Sequence, residues 1–130
     1  MPNDNSATVA AGTPVEFPNN GPTNNSNITR LTPSTFNLYS AGIYEIFFQV
    51  SVTEPGQLVV VLDGNEIPYT VVGRATGTCQ LVGNSLITTN TSNSVLSINN
   101  PTGNTPPLTI TPVAGGTKSV SAHLVIKEYV

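Results

Sequence analysis

The chain of 130 residues carries Lys+Arg 4, Asp+Glu 7 and His 1, a formal net charge of -3 with only 8% of residues charged. A length near one typical domain implies a single core, and the four permanent cations Arg30, Arg74, Lys118 and Lys127 leave no basic surface for a phosphate backbone. One Cys (Cys79) and one His (His123) exclude an internal disulfide framework and a Cys/His zinc site, so no metal, cofactor or nucleic-acid partner is expected.

The first residues, Met-Pro-Asn-Asp-Asn-Ser, lack the basic start and apolar run of a secretory signal. The longest apolar run, Leu58-Val59-Val60-Val61-Leu62, falls far short of the roughly 18–20 residues that span a bilayer. The expectation is a soluble chain, or one that loses a targeting segment before this sequence, and the start at Met1 favours a complete short protein over a fragment. Residues 1–27, rich in Asn, Pro, Thr and Gly, read as an extended segment for docking or linking, with Val9, Val15 and Phe17 as its anchors.

Strong helix formers are sparse and eleven Gly with eleven Pro punctuate the chain, so short strands between turns are expected and no helix. The predicted strands are 14–17, 28–31, 34–39, 43–53, 57–62, 66–72, 78–89, 94–98, 107–111 and 117–129. In 43–53 the alternation assigns Tyr44, Ile46, Phe48, Val50 and Val52 to the core. Segment 55–65 reads as a strand buried on both faces between two turns, with Asp63-Gly64 as a hairpin signal. In 117–129, Val120, Ala122, Leu124 and Ile126 share the inward face.

The opposite faces of these two long strands carry Glu45, Phe47 and Gln49, and His123, Val125, Lys127 and Tyr129. They are too apolar for plain solvent and too polar for a core, a composition that suits a subunit interface. Scattered surface hydrophobics are the competing reading.

Chemistry finds little support. His123 is the only imidazole, so any triad would have to be built on it, and a jelly-roll metal site of the cupin kind needs several histidines. Asp63, Glu54, Glu66 and Glu16 fall near turns, where a solvated role is the expectation, and Cys79 reads as a buried inert thiol with no basic neighbour. Tyr39, Tyr69 and loop Asn residues could form a shallow sugar site, although the chain has no Trp. The sequons at Asn24, Asn27 and Asn90 are expected by chance in so Asn/Thr-rich a chain.

Residues 34–52, Ser-Thr-Phe-Asn-Leu-Tyr-Ser-Ala-Gly-Ile-Tyr-Glu-Ile-Phe-Phe-Gln-Val-Ser-Val, resemble the C-terminal domain of the BclA family of bacterial spore-surface proteins. Three further blocks agree: Glu54-Pro55-Gly56-Gln57-Leu58 to Leu62-Asp63-Gly64, Gly73-Arg74-Ala75-Thr76-Gly77 to Gly83, and Gly115-Gly116-Thr117 to Ala122-His123-Leu124-Val125-Ile126-Lys127. The resemblance implies an all-β, TNF-like jelly-roll sandwich over 28–130, similar to complement globular heads, in a homotrimer whose inner sheet surrounds the threefold axis. It implies a trimer interface at Glu45, Phe47, Gln49, His123, Val125, Lys127 and Tyr129, in which Glu45 can pair with Lys127 across strands or protomers. The family places a collagen-like Gly-X-Y region before this domain and this chain holds none. A stalkless trimer is therefore implied, whose N-terminal segment either links trimers into a fibre or folds back as opening strands.

The function so implied is non-catalytic: a self-assembling building block of the endospore surface, exosporium or appendage, reaching the exterior on mother-cell lysis, with other spore-surface proteins as further partners. The alternative is a trimeric receptor- or carbohydrate-binding head of an adhesive stalk or phage fibre, acting through loops such as 63–69, 73–77 or 99–107.

Overall fold

The computed structural model describes residues 8–23, 27–104, 107–111, 114–118, 120 and 122–129. Among them the chain is all-β, with no α-helix. Its elements in chain order are β1 (Thr8–Val9), β2 (Ile28–Thr32), β3 (Thr35–Leu38), β4 (Gly42–Val52), β5 (Gly56–Leu62), β6 (Asn65–Glu66), a 3-10 turn (Pro68–Thr70), β7 (Val72–Arg74), β8 (Cys79–Thr89), β9 (Ser94–Asn99), β10 (Leu108–Thr109) and β11 (His123–Tyr129). One antiparallel sheet has the order β11-β4-β8, a larger one β2-β3-β9-β5-β6 with β7 also on β5, and β1 pairs with β10. The arrangement is consistent with a β-sandwich, because a single apolar cluster draws on both larger sheets: Tyr44, Ile46, Phe48, Leu81 and Ile87 from one, Phe36, Leu38, Leu58, Val60, Leu96 and Ile98 from the other.

The alternation of β4 acts as expected, with Tyr44, Ile46, Phe48, Val50 and Val52 all at most 1% exposed. Tyr44 keeps its buried phenol satisfied by donating to the Ser40 carbonyl at 2.6 Å and accepting from Asn27 Nδ2 at 2.9 Å. Leu58, Val59, Val60 and Val61 are all buried, so β5 is covered on both faces. Asp63 and Gly64 take φ of 51° and 82°. Two positive φ values at a two-residue tip match the right-handed twist of the flanking strands, and they set the register Leu62↔Asn65.

Several predicted strands are shorter or interrupted. The strand expected over 66–72 is broken at Pro68, which lacks a ladder donor and opens the 3-10 turn. Thr70 then replaces strand pairing: its buried hydroxyl accepts from the Val60 N–H at 3.0 Å and donates to the Ile67 carbonyl at 2.7 Å. Residues 14–17 form no strand of their own, only a bridge between Pro14 and Asn99 and a hydrogen bond from Val15 N to the Ile98 carbonyl at 2.8 Å. The strand expected over 107–111 is reduced to β10 plus a bridge between Val52 and Ile110. The last strand, expected from 117, starts only at His123, after turns and bends that include Gly115 at φ 80°.

The described part of the N-terminal segment shares this core. Val9, Val15 and Phe17 are 2%, 1% and 5% exposed within the chain's own cluster. They are held there by backbone bonds: Gly12 N to the Asn100 carbonyl at 2.7 Å, Asn100 N to the Thr13 carbonyl at 3.0 Å and Phe17 N to the Pro33 carbonyl at 2.8 Å. Asn100, itself 1% exposed, donates its side-chain amide to the Val9 carbonyl at 3.0 Å. Residues 12–15 thus follow β9 along the side where β3 stops at Leu96.

Candidate self-association face

Every second residue of β4 points away from the core, and the register sets its neighbours. On one side Gln49, Phe47, Glu45 and Ile43 stand opposite His123, Val125, Lys127 and Tyr129. On the other side Ile43, Glu45, Phe47 and Gln49 stand opposite Thr88, Leu86, Asn84 and Val82. All seven interface residues expected from the sequence therefore share one face of the β11-β4-β8 sheet. Two more apolar residues, Val82 and Leu86, join from β8, together with Ile43 at the rim.

This face is unusually apolar for an outer surface. Ile43, Val82, Leu86, Val125 and Tyr129 are 45%, 47%, 51%, 41% and 51% exposed, and half-buried Phe47 lies in the central strand among them. Val82 and Leu86 were not legible as interface residues, because in β8 both alternating sets carry large apolar side chains: Leu81 and Ile87 on one, Val82 and Leu86 on the other. A period of two cannot choose between such faces. Only the pairing with β4 does.

Polar groups mark the β11 side of the face. Glu45 Oε1 accepts from the Tyr129 hydroxyl at 2.8 Å and lies 3.8 Å from Lys127 Nζ. The cross-strand Glu45–Lys127 pair thus forms within one chain, and while exposed it contributes little. The Tyr129 hydrogen bond, and after it the Lys127 charge, hold the Glu45 carboxyl below its ordinary pKa, while the same hydrogen bond raises the Tyr129 phenol. Glu45, Phe47, Val125 and Lys127 line a shallow depression of about 250 Å³. His123 is exposed at the start of β11.

The remaining candidates lie elsewhere. Val9, Val15 and Phe17 are in the core, and Cys79 is half-buried against it. The turn carboxylates are used structurally rather than simply solvated. Glu54 accepts from Thr109 N at 2.6 Å and Thr109 Oγ1 at 2.7 Å, and Glu66 accepts from Thr102 N at 2.8 Å and Thr102 Oγ1 at 2.6 Å. Asp63 Oδ1 accepts from Val95 N at 2.8 Å. Among the described residues no three metal-ligating side chains are gathered, and no helix is long and apolar enough to cross a membrane.

The two threonine clamps predict a pH dependence. Hydrogen bonds from Thr109 and from Thr102 hold Glu54 and Glu66 below their ordinary pKa. A carboxylate depressed in the folded state stabilises above its unfolded pKa and loses that contribution as pH falls through the folded value. Thermal stability should therefore decline from about pH 4.5 downward. In a series of melting curves from pH 7 to pH 3, the variant Glu54→Gln should show a shallower decline than the parent chain.

The class defined by these features is an all-β protein of antiparallel sheets with one apolar outer sheet face. No protein-family model matches the chain, and no curated protein matches it.

Proposed function

We infer that this face closes a homotrimer of jelly-roll protomers, and that the trimer is a non-catalytic structural unit of the bacterial endospore surface. The observation that carries the reading is that Ile43, Phe47, Val82, Leu86, Val125 and Tyr129 gather on one face of three adjacent strands, interspersed with Glu45, Gln49, Asn84 and Lys127. A sheet face of mixed apolar and polar residues can bury against copies of itself, with Glu45, Gln49, Asn84, His123 and Lys127 among its polar members. The spore-surface assignment rests on the resemblance of four sequence blocks to the BclA family, three of which contribute residues to the strands β4, β8 and β11 that build the face.

Assembly beyond the trimer has two routes consistent with the fold. The link is made either by residues 1–7, outside the described residues, or by exchange of the segment around Val9, Val15 and Phe17 into a neighbour's identical cleft. Electron microscopy of the full chain beside one lacking residues 1–7 separates them: filaments from the first alone assign the link to residues 1–7, and filaments from both assign it to the exchanged segment. Compact particles from both would remove the fibre and leave the trimer.

The trimer itself is tested by Leu86→Lys/Val125→Lys, measured by light scattering after size exclusion. The parent chain is expected at three times the monomer mass, and the variant as a folded monomer, its association weakened by about 100-fold or more. A monomeric parent chain, or a variant still trimeric, would overturn the assignment of this face.

A further inference from the structure

A groove of about 450 Å³ opens where β5 and β8 end, lined by Asp63, Asn65 and Tyr69 from the segment after β5 and by Thr88, Asn90 and Thr91 from the end of β8 and the residues after it. Its volume lies within the roughly 300–1,000 Å³ typical of small-molecule sites. We propose that this groove binds a neutral saccharide, stacked on Tyr69 and hydrogen-bonded by the carboxylate, amides and hydroxyls facing it.

Tyr69 is 67% exposed, the most open of the large apolar side chains. It is nevertheless held at both ends: its hydroxyl donates to the Leu86 carbonyl at 2.7 Å, and the turn beneath it is tied to β5 through the buried Thr70 hydroxyl. A ring fixed by its tip and its backbone but not covered offers a ready flat platform, so little side-chain entropy is lost when a sugar's C–H face stacks on it. The Asp63 carboxylate that also lines the groove is fixed too. Asp63 sits at the left-handed hairpin tip, its N–H donating to the Val95 carbonyl at 2.8 Å while its Oδ1 accepts from Val95 N at 2.8 Å. Adjacent sugar hydroxyls can donate to such a carboxylate and accept from the amides of Asn65 and Asn90, with Thr88 and Thr91 able to do either.

Charge selects the class. Among the described residues the acidic groups at the groove are Asp63 and Glu66 and no Lys, Arg or His lines it, so phosphorylated or other anionic sugars are disfavoured and neutral ones fit. Tyr39, the other aromatic singled out in the sequence, does not line the groove. The proposal does not depend on the trimer, since none of these residues is among those named on the face of β11, β4 and β8, and only Thr88, opposite Ile43, borders it.

The test is saturation-transfer NMR on the full chain with the methyl glycosides of glucose, galactose, mannose and N-acetylglucosamine as probes, beside Tyr69→Ala and Asn90→Ala. Transfer to at least one glycoside is expected, with affinity reduced at least about tenfold in Tyr69→Ala and measurably in Asn90→Ala. Tyr69→Phe should keep most of the binding, because the ring remains. Absence of transfer to all four probes, or transfer undiminished in Tyr69→Ala with its melting temperature unchanged, would overturn the proposal. If Tyr69→Ala does not fold, undiminished transfer in Asn90→Ala would do the same.

Discussion

Gly83→Val should lower the melting temperature by about 5–10 °C, on the scale of about 3–5 °C per kcal/mol for a domain of this size. Gly83 lies directly opposite Phe48 in the β4–β8 ladder, on the inward face. A Cβ there would sit 2.4 Å from Phe48 Cζ and 2.6 Å from Cε1. The ring has no room to retreat, since Phe48 is 1% exposed and is packed within the core cluster. Overpacking of this kind costs about 1–3 kcal/mol or more, while the gain from replacing glycine in a strand is at most about 1 kcal/mol. The fit of an aromatic ring over a cross-strand glycine also predicts coupling: Phe48→Leu/Gly83→Ala should be more stable than the sum of the single changes implies, because the smaller side chain makes way for the new methyl group. Circular-dichroism melts of the parent, Gly83→Val, Phe48→Leu, Gly83→Ala and Phe48→Leu/Gly83→Ala measure both effects, and a Gly83→Val chain melting within a few degrees of the parent would refute the packing argument.

Deleting residues 1–17 should leave the chain largely unfolded. The deletion removes Val9, Val15 and Phe17, all at most 5% exposed, and opens the cleft that they fill. Each buried valine contributes about 1.5–3 kcal/mol, and a buried phenylalanine truncated to alanine costs about 3–5 kcal/mol. Together these are comparable with the whole stability of a typical domain, about 5–15 kcal/mol. The backbone bonds of residues 12–15 to Ile98 and Asn100 go with them, leaving that stretch of β9 unpaired on one side. Phe17→Ala alone should lower the melting temperature by about 10 °C or more. Hydrogen exchange gives a sharper readout, because the amides of Ile98 to Asn100 should lose protection before those of β4. A 1–17 deletion as stable as the parent would show that the segment is an appendage.

The two predictions separate what was readable in the chain from what was not. Phe48 was assigned to the core from the alternation of 43–53 alone, because a half-buried strand imposes a period of two on its own residues. Its partner Gly83 carries no such signal: a glycine in a strand is equally consistent with a bulge, a bend or a close approach. Val9, Val15 and Phe17 stood out as anchors because they are the large apolar residues of a polar stretch, but nothing local says which cleft receives them.

The candidate face divides in the same way. Glu45, Phe47, Gln49, His123, Val125, Lys127 and Tyr129 were readable because two long strands alternate cleanly, and the register then set Lys127 beside Glu45. The hairpin at Asp63-Gly64 was readable because few residue pairs accept two positive φ values. Val82 and Leu86 were not readable, nor was the break at Pro68, where a side-chain hydroxyl from Thr70 supplants strand pairing.

By itself, then, the sequence determined an all-β chain, the inward and outward faces of β4 and β11, one tight hairpin and the absence of a basic surface. These follow from interactions between residues a few positions apart. The tertiary structure alone decided that β8 lies beside β4, that Val9, Val15 and Phe17 of the N-terminal segment fill the chain's own core, and that Tyr69 and Asn90 line one groove. Those facts depend on which distant segments pair, a choice made by the packing of the whole core and recorded in no single stretch of it.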